Sequence, residues 1–258
     1  MTEIKYLYED DDILVCHKPA GMATEGAGPG QMDVISAVRN LIARRNRENE
    51  KGRQRNLPPY VAGINRLDKP VEGVLVLAKN KKAASFLADQ IKKRNADKYY
   101  YALCYGIPEP DKATLSDYII RRQDNKRAFI ISREEAKSFK DNAVTLGNGE
   151  KVYLIGGDPK ECVLSYSIVN KNDKSALLQI HLGTGRFHQI RAQLSSRGFP
   201  IVGDRDYAGA ECLDYARSLG VKEICLAAYR YEITHPSTGR NMSFQIIPEN
   251  SAIRELLI

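Results

Sequence analysis

The chain of 258 residues is poor in cysteine. It has five, Cys16, Cys104, Cys162, Cys212 and Cys225, and no two form a C-x-x-C pair. An odd, unclustered set argues against a disulfide framework and a structural zinc site. Each cysteine reads instead as a small buried apolar residue in a reducing cytoplasm. No apolar run approaches the roughly 20 residues of a membrane-spanning helix; the clean runs are short, as in VLVLA at 74–78. The N-terminus MTEIKYLYEDDD is acidic and polar, so it does not read as a secretion signal. No repeat is visible at the period of solenoids or propellers. No Gly-rich phosphate loop or dinucleotide fingerprint is present, which leaves a nucleotide cofactor without support. No His or acid sits at metal-ligand spacing from His188, so no metal is expected.

What is present is ordinary globular material with a basic bias. Apolar residues make up 43% and charged residues 28%, near globular averages. The length allows one large domain or two small ones. Net charge is +7, and its distribution says more than its size. Residues 39–56 carry seven Lys/Arg against two Glu, 79–98 seven against two Asp, and 121–140 seven against three acids. Such stretches either line a groove that follows phosphates or are solvated faces. Residues 44–56, rich in Arg and Asn, read as an exposed loop.

Strands are expected near 13–18, 74–79, 98–106, 162–169, 176–182, 226–233 and 242–247. Helices are expected over 33–46 with Asp33 as N-cap, over 80–94 with Asn80 as N-cap, and over 186–197. In the second helix Ala83, Ala84, Leu87 and Ile91 face inward. Helices and strands mix without strict alternation, which predicts an α+β fold rather than a doubly wound sheet.

Three segments carry candidate chemistry. In GINRLDKPVEGVLVLAKN (63–80), Asp68 lies in a loop between Gly63 and Gly73, with Lys69 pushed toward extended backbone by Pro70. It is either a carboxylate held at a set angle or an Asp that orders a turn. In TGRFHQIRAQLSSRGFPIVGDRDY (184–207), a helix would place Phe187, Ile190 and Leu194 on one face with Arg191 at its border. A guanidinium there needs a carboxylate, for which Asp68 is the candidate, or it snorkels to water. In the run Tyr99–Tyr101, Tyr100 faces opposite to its neighbours on a strand. Tyrosines there are stacking platforms for bases or ordinary core.

Taken together these segments resemble the RluA-type pseudouridine synthases. The family's H-R-L-D-x-x-T-S-G motif is matched by Asn65, Arg66, Leu67 and Asp68 followed by KPVEG and VLVLAKN. Its K-x-Y-x-A-x-x-x-G motif is matched by Lys98, Tyr100, Ala102 and Gly106. T-G-R-x-H-Q-I/L-R with G-D-x-x-Y after it is matched by Thr184 to Arg191 and by Gly203, Asp204 and Tyr207. YEDDDILVCHKPAGM is similar to the family's entry strand and N/H-K-P-x-G turn. Order and approximate spacing agree over about 13–235. The chain departs from the pattern at Asn65, at Val71-Glu72-Gly73 and at Leu226-Ala227-Ala228.

The resemblance implies a pseudouridine synthase fold: a central mixed, mostly antiparallel sheet flanked by helices and loops, with a basic catalytic cleft. It implies a single catalytic domain over 1–258, without a separate N-terminal RNA-binding domain. The implied activity is isomerisation of specific uridines in ribosomal or transfer RNA, without cofactor or metal, by a cytoplasmic monomer. Asp68 is then the catalytic carboxylate. Attack on the sugar, attack on the base and removal of a ribose proton all require it ionised against the nucleoside. Arg191 is its counter-charge. Tyr100 stacks on the uracil, and Arg66 fills the space an extruded base leaves. Leu67, Lys98, Arg186 and His188 complete the expected RNA- and base-binding set. The alternatives are a catalytically inactive RNA-binding or ribosome-assembly protein on the same scaffold, and a glycosidase with Glu72 as second acid.

Overall fold

A computed structural model describes residues 4–49, 58–123 and 127–257. They form two compact units. The first takes the chain up to Lys98 together with Ala227–Glu249; the second takes Tyr99–Leu226 and the residues from Asn250 on. The chain begins with β1 (Lys5–Glu9), β2 (Ile13–Lys18), α1 (Val34–Asn49), β3 (Ala62–Gly63), β4 (Glu72–Ala78) and α2 (Lys81–Lys92). It continues with β5 (Asp97–Tyr105), β6 (Lys112–Arg121), β7 (Ala128–Ile131), α3 (Arg133–Lys137), β8 (Ala143–Thr145) and β9 (Lys151–Tyr153). Then come β10 (Lys160–Lys171), β11 (Ser175–Leu182), α4 (Gln189–Ser195), α5 (Ala210–Ser218), β12 (Leu226–Thr234), β13 (Asn241–Gln245) and α6 (Ser251–Glu255).

In the first unit every residue of β2 and β4 is buried. Successive strand side chains point to opposite faces, so strands covered on both faces carry near-continuous apolar runs, here Ile13–Cys16 and Val74–Ala78. Ile13, Val15, Val74 and Val76 pack on one side with Leu87 of α2 and with Tyr231, Ile233 and Phe244. Leu14, Cys16, Leu75 and Leu77 pack on the other with Val34, Ile35 and Val38 of α1. The strand order is β1-β2-β4-β12, with β3 beside β4 and β13 beside β12. The β4–β12 pair is parallel, Ala228 opposite Gly73. Only glycine fits at 73: its φ is +147°, and a Cβ there would lie 2.5 Å from the Ala228 Cβ and 2.6 Å from the Ala228 carbonyl oxygen.

The second unit is built on the antiparallel order β5-β11-β10-β6-β7, with β8 and β9 as a separate pair. Adjacent residues of β6 serve two clusters. Ile120 packs with Ile131, Val144, Val152 and Leu154; Ile119 packs with Ala128, Cys162 and Ala192 of α4. The architecture is α+β, a mixed sheet with few helices, as expected.

Several local expectations are corrected. The helix with Asp33 as cap runs on to Asn49, so residues 44–49 are helical rather than loop; 50–56 lie outside the described residues. In α2 the buried positions are Ala83, Leu87 and Gln90. Gln90 displaces Ile91 because its amide donates to the Thr234 carbonyl at 2.6 Å and accepts from the Thr234 N–H at 2.9 Å. The third helix begins at Gln189, not 186, because His188 is left-handed with φ 53°. That break takes Phe187 off the buried face, leaving it 37% exposed.

Candidate active site

In the first unit, Asp68 sits in a turn pinned on either side. Thr24 Oγ1 donates to the Leu67 carbonyl at 2.9 Å and accepts from the Leu67 N–H at 3.2 Å. The Lys69 carbonyl accepts from the Gly21 N–H at 2.9 Å and from Lys18 Nζ at 3.2 Å. Within the turn, the Val71 N–H donates to the Asp68 carbonyl at 3.0 Å. Asn65, where the motif has His, donates from Nδ2 to the Val74 carbonyl at 3.0 Å and accepts from the Val76 N–H at 2.9 Å. The departure at 65 therefore keeps the loop tied to β4. Exposure alternates along the turn: Arg66 is exposed, Leu67 buried and Asp68 half-buried. Alternation of this kind allows Arg66 and Asp68 to share a side. The Arg66 guanidinium is 3.9 Å from Glu25, an exposed pair of little energetic weight.

Lys18, the lysine of the K-P-x-G turn, is not among the expected site residues, yet it is bonded to the turn that carries Asp68. It ends an all-buried strand and is itself fully buried. Its ammonium donates to the carbonyls of Met22 at 2.6 Å, Pro19 at 3.0 Å and Lys69. Burial pushes its pKa down to about 8, and the negative charge of Asp68 opposes that shift most among its neighbours. Lys18 is thus a cation that the first unit itself places within the field of Asp68. A charged group at the end of an otherwise apolar strand is the signal that marks it, since an isolated buried charge is not tolerated.

Glu72 is buried. One carboxylate oxygen accepts from the Glu249 N–H at 2.8 Å and lies 3.1 Å from His17 Nε2. It is part of the packing around β4, which leaves the glycosidase alternative without its second acid.

In the second unit, Arg191 is 3% exposed, so it does not snorkel. Its Nε and Nη2 donate to the two oxygens of Asp204 at 2.8 and 2.6 Å, the bidentate geometry in which guanidinium–carboxylate pairs are strongest. Nη2 also donates to Asp206 at 2.6 Å. Asp204 is 1% exposed and accepts in addition from the N–H groups of Asp206 and Tyr207 at 3.0 and 3.3 Å. The buried acid of this unit is therefore Asp204, which sequence reasoning quoted in G-D-x-x-Y without assigning it to Arg191. Gly203 makes that turn possible: its φ is +81°, and a Cβ would lie 2.6 Å from the Glu223 carbonyl oxygen.

Arg191 Nη1 lies 3.1 Å from His188 Nε2. Arginine can only donate, so Nε2 accepts and Nδ1 carries the hydrogen. Nδ1 lies 3.1 Å from Tyr207 Oη, which also takes the Ala128 N–H at 2.7 Å. T-G-R-x-H-Q-I-R and G-D-x-x-Y thus interlock twice, Arg191 with Asp204 and His188 with Tyr207.

The remaining expected residues fall as follows. Tyr100 is buried on β5 opposite Ile180, while Tyr99 stacks on His181 with centroids 4.9 Å apart, as the alternation required. Lys98 is half-buried and Arg186 exposed; Arg186 Nε donates to the Glu161 carbonyl at 3.1 Å. Arg66, Leu67, Asp68 and Lys98 belong to the first unit, and Tyr100, Arg186, His188 and Arg191 to the second.

The fold is that of the pseudouridine synthases. The chain matches human RNA pseudouridylate synthase domain containing 4 with a TM-score of 0.70 at 21% identity, covering 95% of this chain and 89% of that one. Domain containing 1 of the same human series gives 0.67 at 18%, covering 95% and 84%. The profile described as RNA pseudouridylate synthase matches residues 12–196, so the chain belongs to that family of RNA-acting isomerases. An uncharacterized RNA pseudouridine synthase of Chlorobaculum parvum is 29% identical, over 96% of this chain and 72% of that protein. One of Aquifex aeolicus is 28% identical, over 94% and 69%. Ribosomal large subunit pseudouridine synthase C of Pasteurella multocida is 25% identical; the match takes in 93% of this chain but 63% of that protein.

Proposed function

We propose that this chain converts uridine to pseudouridine in ribosomal or transfer RNA, with Asp68 as the catalytic carboxylate. The observation that carries this reading is the doubly pinned turn. Leu67 and Lys69, the two neighbours of Asp68, are each tied through their backbone to the 18–24 segment. A carboxylate held by its backbone on both sides is preorganised toward a reacting centre. Membership of the family supplies the reaction, and the name of the Pasteurella relative favours ribosomal RNA of the large subunit.

In the reaction the bond between ribose and base nitrogen breaks, the uracil turns, and a bond forms from the same ribose carbon to base carbon 5. A proton leaves that carbon and one is gained at the nitrogen, so the balance needs no oxidant, reductant or cofactor. Asp68 acts on the nucleoside. Lys18 supplies positive charge from behind the turn, and Arg191, held rigid by Asp204, is the arginine of the catalytic set. Tyr100 stacks on the uracil, and Arg66 takes the vacated place in the RNA. Leu67, Lys98, Arg186 and His188 complete the RNA- and base-binding set of this reading. A single catalytic domain acting as a cytoplasmic monomer completes the reading.

The test is Asp68→Asn on transcribed large-subunit ribosomal RNA and transfer RNA. The variant is expected to keep its melting temperature and RNA affinity and to form no pseudouridine. Turnover at the wild-type rate would overturn the assignment. An inactive wild-type protein that binds RNA would favour the ribosome-assembly alternative.

A further inference from the structure

We propose that Arg121, Phe187 and His188 form a stacking platform for an unpaired base of the RNA substrate. The proposal deepens the reading above and rests on RNA being the substrate. It assigns new roles to Arg121 and Phe187.

The left-handed His188 turns the Phe187 side chain out of the helix. The His188 ring lies on Phe187 at 3.8 Å between centroids and 15° between planes. The Arg121 guanidinium carbon lies 4.2 Å from the Phe187 centroid. Two groups this close to one ring centre cannot share a face, so the three form a sandwich with Phe187 in the middle. The stack is braced from below. Arg121 pairs with Ala128 across the β6–β7 ladder, Tyr207 Oη holds the Ala128 N–H, and His188 is bonded to the same Oη. The result is a closed circuit from Arg121 through β7, Tyr207, His188 and Phe187 back to Arg121.

The outermost layer is the Arg121 guanidinium, and Arg121 is exposed. Its guanidinium lies against Phe187, and among the described residues no carboxylate pairs with it. A free arginine must lose rotamer entropy to present a flat face. One already laid on an aromatic ring presents a planar cation at little further cost. Unpaired RNA bases stack on such guanidinium planes and on aromatic faces. Exposed Arg186 adjoins Phe187 in the chain, and exposed Arg127 adjoins Ala128. Their guanidinium groups suit the phosphates flanking a stacked base. A double helix keeps its bases stacked on one another and cannot use the platform, so the chemistry specifies an unpaired nucleotide.

The test measures binding of a fluorescein-labelled twelve-nucleotide oligoadenylate and of a twelve-base-pair RNA duplex at low salt. The proteins are wild type, Arg121→Ala, Arg121→Lys and Phe187→Ala, each checked for an unshifted melting curve. Stacking one base is worth roughly a tenfold change in affinity. Arg121→Ala and Phe187→Ala should therefore weaken the single strand about tenfold and the duplex much less. Arg121→Lys, which keeps the charge and loses the plane, should resemble Arg121→Ala. On substrate RNA the loss should fall mainly on KM. Lysine restoring wild-type affinity, equal losses on duplex and single strand, or no binding of oligoadenylate by the wild type would each overturn the platform. The outcome separates from that of Asp68→Asn. An inactive Asp68→Asn with unaffected Arg121 and Phe187 variants removes the platform alone; an active Asp68→Asn with weakened variants removes the catalytic assignment alone.

Discussion

At the scale of single residues, the charges that matter are the buried ones. Arg191 and Asp204 are both nearly inaccessible and bonded bidentately. Removing the arginine strands a carboxylate in the interior, and breaking such a pair typically costs about 3–5 kcal/mol. Arg191→Ala is therefore expected to lower stability by that order in denaturant titration and to abolish turnover. An equally stable, active variant would dissolve the pair's proposed role. With Asp206 included the cluster carries one positive and two negative groups.

Lys18 makes a pH prediction with a definite sign. Its folded-state pKa is lowered, from 10.5 to about 8. Between those values the unfolded chain binds more protons than the folded one, so this group's contribution to stability rises with pH. Below about pH 8 the buried charge is a burden, offset by three carbonyl contacts; above about 10.5 the burden is gone. Relative to Lys18→Met, the wild type should gain stability across that window, by up to about 3 kcal/mol at 1.36 kcal/mol per pKa unit. A constant difference between the two proteins from pH 7 to 10.5 would contradict the assignment.

At the scale of elements, the turn that carries Asp68 depends on β4 lying against β12. Gly73→Ala should destabilise by about 2–3 kcal/mol, from overpacking plus backbone strain. Gly239→Ala, also at positive φ but with nothing within 4 Å of the new methyl, should cost only about 1 kcal/mol. Thermal melts of the two variants give the comparison, and similar values would deny the close approach its role. The same elements show what was legible beforehand. β2 and β4 announce themselves because burial on both faces demands unbroken apolar runs. The caps Asp33 and Asn80 mark their helices because each carboxylate or amide oxygen takes an N–H three residues on, Ser36 and Ala83. β1 and β6 escaped because KYLYE is mostly exposed and KATLSDYIIR is buried at only three positions. α5 offers only Cys212 and Ala216 to the core, too narrow a stripe to read. The start of α4 was misplaced because Phe187, Ile190 and Leu194 fit a helical period that the left-handed His188 interrupts. The motifs named both members of the Arg191–Asp204 pair, yet a bond across 13 residues is a property of the folded turn at Gly203, not of the spacing.

For the molecule as a whole, net charge of +7 and membership of an RNA-acting family predict binding that falls steeply with salt. If some four phosphates are neutralised, raising salt from 50 to 200 mM should weaken affinity for a structured RNA by about a hundredfold. A flat response in filter binding would mean that the basic stretches are not the footprint. Among the described residues no helix is long and apolar enough to cross a membrane.

The most direct measurement is a pseudouridine map of total RNA from cells lacking the gene, re-supplied with either the wild-type chain or Asp68→Asn at equal protein level. One or more uridines in ribosomal or transfer RNA should lose modification in the deletion, regain it with the wild type, and stay unmodified with the variant. Restoration by Asp68→Asn, or a map that the deletion leaves unchanged, would contradict the account.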